Sequence, residues 1–151
     1  MISALNMKSA TKKHQKRSRP SENAIVEATC EYLLQRGFKE LRFEVPMGEK
    51  YLDIMARHQH EYCAIEAKVD SPTRAFKQAT RYQHVAQRTY VALFGTASAT
   101  GTHLADSTGI GLILVSPISP GQLTARIAVE ARLSPYFEPS LASFIWQTEV
   151  D

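Results

Sequence analysis

Asp53, Glu66 and Lys68 are the residues of this sequence whose types and spacing can do chemistry. The segment Tyr62–Val69 reads YCAIEAKV. In an extended strand alternate side chains leave opposite faces, so Cys63, Ile65, Ala67 and Val69 share one face while Glu66 and Lys68 share the other. The preceding stretch, Tyr51–Ala56, is apolar apart from Asp53. A carboxylate inside such a run is costly unless a cation, a metal or hydrogen bonds compensate it. If a short hairpin pairs the two strands, Asp53 and Glu66 lie side by side and offer oxygens to one hard cation, for which Mg2+ fits and Mn2+ can substitute. Such an ion would polarise a phosphate oxygen, acidify a water and stabilise developing negative charge, with Lys68 orienting the water or neutralising charge: the needs of phosphodiester hydrolysis. The plainer alternative is an Asp53–Lys68 or Glu66–Lys68 ion pair that only sets strand register.

The elements that must position these residues follow from hydrophobic periodicity and turn chemistry. Ser21 is a candidate N-cap for a helix carrying Ile25, Val26, Thr29, Cys30, Leu33 and Leu34, stopped by Gly37. Leu41, Phe43 and Val45 alternate as a strand up to Pro46, and residues 47–50 turn the chain. Tyr51–Arg57 and Tyr62–Val69 form two more strands around a loop, His58–Glu61, that suits an antiparallel hairpin and carries both His58 and His60 as polar tip residues rather than ligands. Residues 73–87 are predicted helical, with Ala75, Ala79, Tyr82 and Ala86 as the buried stripe. The apolar run Thr89–Phe94 then implies a parallel crossover. A short helix within residues 96–108, a strand over Ile110–Val115, punctuation at Pro117, Pro120 and Gly121, an edge strand Leu123–Val129 and a closing helix over Leu141–Trp146 complete the order. Phe144 and Trp146 either close the core or offer a homodimer patch.

Asp53, then Glu66-Ala67-Lys68 after a hairpin, then a helix and an apolar strand, resembles the PD-(D/E)XK nuclease superfamily over roughly residues 21–116. The pair Leu52-Asp53 departs from the pattern in having leucine where the superfamily's name has proline. The resemblance implies a restriction-endonuclease-like three-layer α/β/α sandwich with a mixed central sheet. It implies further that Asp53 and Glu66 bind Mg2+, with the Ala67 carbonyl as an added ligand, and that Lys68 serves the attacking water. Gln78-Ala-Thr-Arg-Tyr82 matches the Gln-x-x-x-Tyr element of RecB-type members. Residues four apart share a helix face, so Gln78 can reach a metal-bound water, a phosphate or Lys68 while Tyr82 anchors the helix, unless Tyr82 is simply core and Gln78 surface. Many members add an acid from the first helix; Glu27 is the choice made here, with Glu22 and Glu31 as alternatives.

Charge sharpens the partner. Of the 18 Lys and Arg residues, six precede the first acid, Glu22, leaving 12 against 15 acidic residues, so everything beyond residue 20 is formally negative. Residues 1–20 therefore read as a basic arm, in which Lys12, Lys13, Lys16 and Arg17 gain affinity for polyanions by counterion release or are merely solvated, and residues 21–151 as one nuclease-like domain. Arg74, Lys77 and Arg81, spaced three and four apart with Arg88 just beyond, offer a second cationic face to a nucleic-acid backbone. DNA is the expected partner, with RNA open to the same metal chemistry. Two cysteines, Cys30 and Cys63, look like buried free thiols, and neither a signal peptide nor a membrane-length apolar run occurs, so a cytoplasmic location is expected. The expectation is a Mg2+-dependent deoxyribonuclease; the rivals are a catalytically silent nucleic-acid-binding or assembly module on the same fold, and an RNA-directed nuclease.

Overall fold

The computed structural model describes residues 19–95 and 99–148; Lys12, Lys13, Lys16 and Arg17 lie outside the described residues. The first helix, α1 (Glu22–Gln35), begins where the Ser21 hydroxyl oxygen accepts the Ala24 N–H at 3.1 Å, satisfying an amide the helix itself cannot. It ends at Gly37, whose φ of 100° lets the amides of Gly37 and Phe38 return to the carbonyls of Leu34 and Leu33, both at 3.1 Å. This is a Schellman turn, and its positive φ explains the glycine.

Three strands follow as an antiparallel meander: β1 (Glu40–Met47), β2 (Lys50–His58) and β3 (Glu61–Lys68). The hairpin between β2 and β3 is tighter than the sequence suggests, because His58 pairs with Glu61 and only Gln59 and His60 remain to turn. Gln59 takes the positive φ, 57°, that a tight hairpin demands. His58 packs edge-on against Phe38 with ring centroids 6.1 Å apart.

Helix α2 (Pro72–Ala79) passes into a 3₁₀ segment (Thr80–His84), then come β4 (Arg88–Phe94), α3 (Ala99–Thr108), β5 (Gly111–Ser119), β6 (Gln122–Val129) and α4 (Pro139–Gln147). The strands lie in chain order in one sheet, with β3–β4 and β4–β5 parallel and the other neighbours antiparallel. The parallel pairs require the crossovers that α2 and α3 supply. Helix α1 covers the face bearing Ile54, Ile65, Ala92 and Ile113. Phe76 of α2, Ala105 of α3 and Ile145 of α4 cover the face bearing Met55, Ala64, Val91 and Leu112, which makes a three-layer α/β/α sandwich around a mixed sheet.

Three expectations change in detail. The helix foreseen over residues 73–87 is α-helical only to Ala79. Strand β5 runs through Pro117 instead of ending before it: β4 stops opposite Val115, so the missing proline N–H leaves no partner on that side unmet. Helix α4 separates its two aromatics, burying Trp146 and leaving Phe144 69% exposed. Cys30 is half-buried and Cys63 buried, both free, with thiols pushed up by burial to about 11 and about 12. Among the described residues no helix is long and apolar enough to cross a membrane.

Candidate metal and catalytic site

Asp53 sits at a fault in the sheet. From Ile54 onward β2 alternates regularly, with Ile54 and Ala56 facing α1 and Met55 facing the other layer. Strict alternation would put Leu52 with Ile54, yet Leu52 joins the face of Met55. The phase therefore changes at Asp53. On β1, Phe43 pairs with Ile54 and Val45 with Leu52, which leaves Glu44 opposite Asp53 at a φ of 47°, a left-handed conformation uncommon for a residue with a side chain. Backbone of this kind costs about 1–3 kcal/mol and concentrates at functional sites. The β2–β3 ladder also stops here, its last pair being Ile54–Ile65. Asp53 and Glu66 come next in register, and the Asp53 carboxylate replaces the missing ladder bond, its Oδ2 accepting the Ala67 N–H at 2.9 Å.

Glu66 is buried, and its Oε1 accepts the Tyr82 hydroxyl at 2.6 Å, with the Tyr51 carbonyl oxygen 3.2 Å from the same hydroxyl. Each carboxylate spends one oxygen on a protein donor, and Asp53 and Glu66 also hydrogen-bond each other when one of them holds a proton. Burial raises the Asp53 carboxyl above its ordinary range against the opposing Ala67 hydrogen bond, and the two acids are close enough to share a proton. Burial likewise pushes Glu66 up to about 7; the Tyr82 bond pulls it down, the Asp53 charge pushes it up and Lys68 pulls it down. Tyr82 is pushed far above its usual range, first by burial and then by donating to Glu66.

Lys68 leaves the end of β3 and lies 3.8 Å from Glu22 Oε2, in the first turn of α1. The helix acid that meets Lys68 is Glu22. The reason is local: the Ser21 cap starts the helix beside the end of β3, and Arg19 fastens the preceding segment there through a 2.5 Å ion pair with Asp70. Glu27 lies farther along, lining with Glu22, Phe43, Glu44 and Asp53 a cavity of about 310 Å³ between α1 and the β1–β2 pair. Glu31 faces away, beside Ile118 and Leu123.

Gln78 and Tyr82, expected on one helix face, diverge because the 3₁₀ segment turns about 120° per residue where an α-helix turns about 100°. Tyr82 turns inward to Glu66, while Gln78 is half-buried and makes no side-chain hydrogen bond among the described residues. Arg74, Lys77 and Arg81 are all exposed, and among the described residues none has an ion-pair partner. Arg88 does not join them, being paired with Glu61 at 2.5 Å. Sequence reasoning did not single out Glu44, Phe43 or Tyr51 as neighbours of the site; a glutamate at positive φ leaves no mark in a sequence.

Among the described residues no three His, Cys, Asp or Glu side chains gather into a metal-holding group. Two neighbouring carboxylates, Glu66 buried and Asp53 half-buried, nevertheless fit an ion that takes one or two protein carboxylates and fills its remaining positions with water and phosphate oxygens, the habit of Mg2+.

No known family and no curated protein matches the chain. Among solved structures it is similar to Pyrococcus furiosus SfsA in complex with Ca2+, at 16% identity and a TM-score of 0.40, over 78% of this chain and 62% of that one. The chain thus spans less than two thirds of that protein, and a likeness so slight leaves the function to this chain's own residues.

Proposed function

We propose that this chain is a Mg2+-dependent nuclease that hydrolyses phosphodiester bonds of DNA, with Asp53, Glu66 and Lys68 at its centre. The observation that carries the proposal is the Asp53–Glu66 pair: two carboxylates, Glu66 buried and Asp53 half-buried, side by side at an interrupted ladder, each fixed by one protein donor and close enough to hydrogen-bond each other. A protein gains nothing in stability from such a pair, and it becomes intelligible as a cation site. The resemblance to the PD-(D/E)XK superfamily supports the same three residues, and the Ala67 carbonyl is the third ligand it implies. Mg2+ held there supplies charge stabilisation at phosphate and a more acidic water. The chain does the rest. Ala67 N–H and Tyr82 O–H fix the two carboxylates, and Lys68 presents an ammonium to the attacking water or the developing charge, with Glu22 restraining it. Gln78, in the last turn of α2 and without a side-chain hydrogen bond among the described residues, is available to a phosphate. The DNA backbone follows the exposed Arg74, Lys77 and Arg81, and Lys12, Lys13, Lys16 and Arg17 add non-specific affinity.

The test is incubation of the purified protein with linear, single-stranded and branched DNA, and with RNA, with and without Mg2+ or Mn2+. Divalent-dependent cleavage lost in both Asp53→Ala and Lys68→Ala is the expected result. Cleavage that survives both substitutions overturns the site. Inactivity on every substrate, with no divalent-ion binding by calorimetry, replaces the enzyme with the silent nucleic-acid-binding module.

A further inference from the structure

Away from the acidic pair, a cavity of about 340 Å³ lies between the last turn of α1 and the sheet. Glu61 and Cys63 line it at the start of β3, whereas Glu66 and Lys68 stand at that strand's end. Its floor is apolar and buried, with Leu33, Cys63 and Ile113 at most 3% exposed. Its rim is charged. Glu61 is answered by Arg88 at 2.5 Å, but Arg36 and Glu130, both exposed, have no ion-pair partner among the described residues. Each is nevertheless held in place by a tyrosine of the same cavity: Arg36 donates to the Tyr32 hydroxyl at 2.8 Å, and the Tyr90 hydroxyl donates to Glu130. A guanidinium so held keeps N–H donors to spare, and a carboxylate that accepts one phenol keeps acceptor capacity.

Two unpaired charges of opposite sign above an apolar floor match a small zwitterion with an apolar body. We infer that this cavity binds a free α-amino acid with a large apolar side chain, its carboxylate on Arg36, its ammonium on Glu130 and its side chain over Leu33, Cys63 and Ile113. The planar guanidinium meets a carboxylate through two parallel bonds, the pairing for which arginine is suited. Tyr32, Phe38 and Tyr90 also line the cavity, and ring edges and faces favour an aromatic side chain. The volume is at the small end of the ~300–1,000 Å³ range of ligand clefts, the size for one amino acid. A nucleobase fits less well, because polar atoms surround its edge and those set against the floor lose their hydrogen bonds. The inference does not depend on the nuclease reading.

The test is an NMR titration of the full-length protein with L-phenylalanine, with 3-phenylpropionate, which lacks the ammonium, with 2-phenylethylamine, which lacks the carboxylate, and with guanosine. The expected result is saturable binding of L-phenylalanine, about tenfold to hundredfold tighter than either analogue, the size of a lost hydrogen bond to a charged group. Arg36→Gln should weaken L-phenylalanine to the affinity of 2-phenylethylamine, and Glu130→Gln should weaken it to that of 3-phenylpropionate. The analogues read the same two contacts on the unaltered protein, so a variant that fails to fold leaves the comparison intact. No saturable binding of L-phenylalanine, L-leucine or L-tryptophan up to about 10 mM overturns the site. So does L-phenylalanine binding no tighter than both analogues, undiminished binding in both variants, or tighter binding of guanosine.

Discussion

Strands β1 and β2 carry two clusters of charge at opposite ends, and they are built on opposite rules. Near the start of β1, Arg57 meets Glu40 through two bonds, at 2.7 and 3.0 Å, and the guanidiniums of Arg42 and Arg57 lie over the Trp146 ring at 5.3 and 4.7 Å. Arg42 also donates to the carbonyls of Trp146 and Thr148, closing the C-terminal end of α4. There the charges have counter-charges, rings or carbonyls as partners. At the other end Asp53 and Glu66 lie side by side with carboxyls raised chiefly by burial, and Lys68 lies 3.8 Å from Glu22. Both clusters join distant parts of the chain, but only the first pairs each carboxylate with a cation; the second sets two carboxylates against each other, held by an amide and a phenol.

Substitutions can break or sharpen that contrast. The largest effect is expected for Glu66→Gln, which should reduce Mg2+-dependent cleavage at least ~10²-fold while leaving the melting temperature level or higher, because it removes one of two buried like charges. A large loss of stability would place the acidic pair with the structural cluster. Trp146→Ala should do the reverse, costing about 3–5 kcal/mol in denaturant unfolding with little change in turnover of the remaining folded protein.

Tyr82→Phe tests the proton balance of the acidic pair. The folded Glu66 carboxyl titrates near 7 against an ordinary value of 4.5, so the folded state binds more protons between those values. Its contribution to stability is fully present below about 4.5 and is lost as pH rises through about 7. Cation binding has the opposite sign, since it needs the carboxylates, and activity should rise over the same range. Because the Tyr82 bond lowers the Glu66 value, Tyr82→Phe should move the acid limb of the pH–rate profile to higher pH; an unmoved limb would detach Glu66 from catalysis. The smallest effect is expected for Glu40→Gln, an exposed partner of Arg57, with cleavage unchanged and a melting temperature close to that of the parent.

Much of this arrangement was legible in the residues. The alternation that puts Cys63, Ile65, Ala67 and Val69 on one face, Asp53 in an apolar strand and the Ser21 and Gly37 helix boundaries are local patterns, and the structure realises them. What escaped depends on contacts between distant segments. Whether Glu22 or Glu27 meets Lys68 is decided by where the helix starts relative to the end of β3. The divergence of Gln78 from Tyr82 follows a switch to 3₁₀ geometry that four-residue spacing does not foretell. The reversal of facing between Leu52 and Ile54 requires a glutamate in a left-handed conformation on the neighbouring strand.

The bond from Ala67 N–H to Asp53 gives this site a spectroscopic handle. A ladder amide normally reports on a neighbouring carbonyl, whose charge never changes. The Ala67 amide reports on a carboxylate. Its ¹⁵N–¹H resonance should follow the protonation of Asp53 and shift on addition of a divalent cation, and its solvent exchange should quicken when Asp53 is neutralised. One backbone position, remote in sequence from Asp53, thereby records the occupancy of the acidic pair without substrate or turnover.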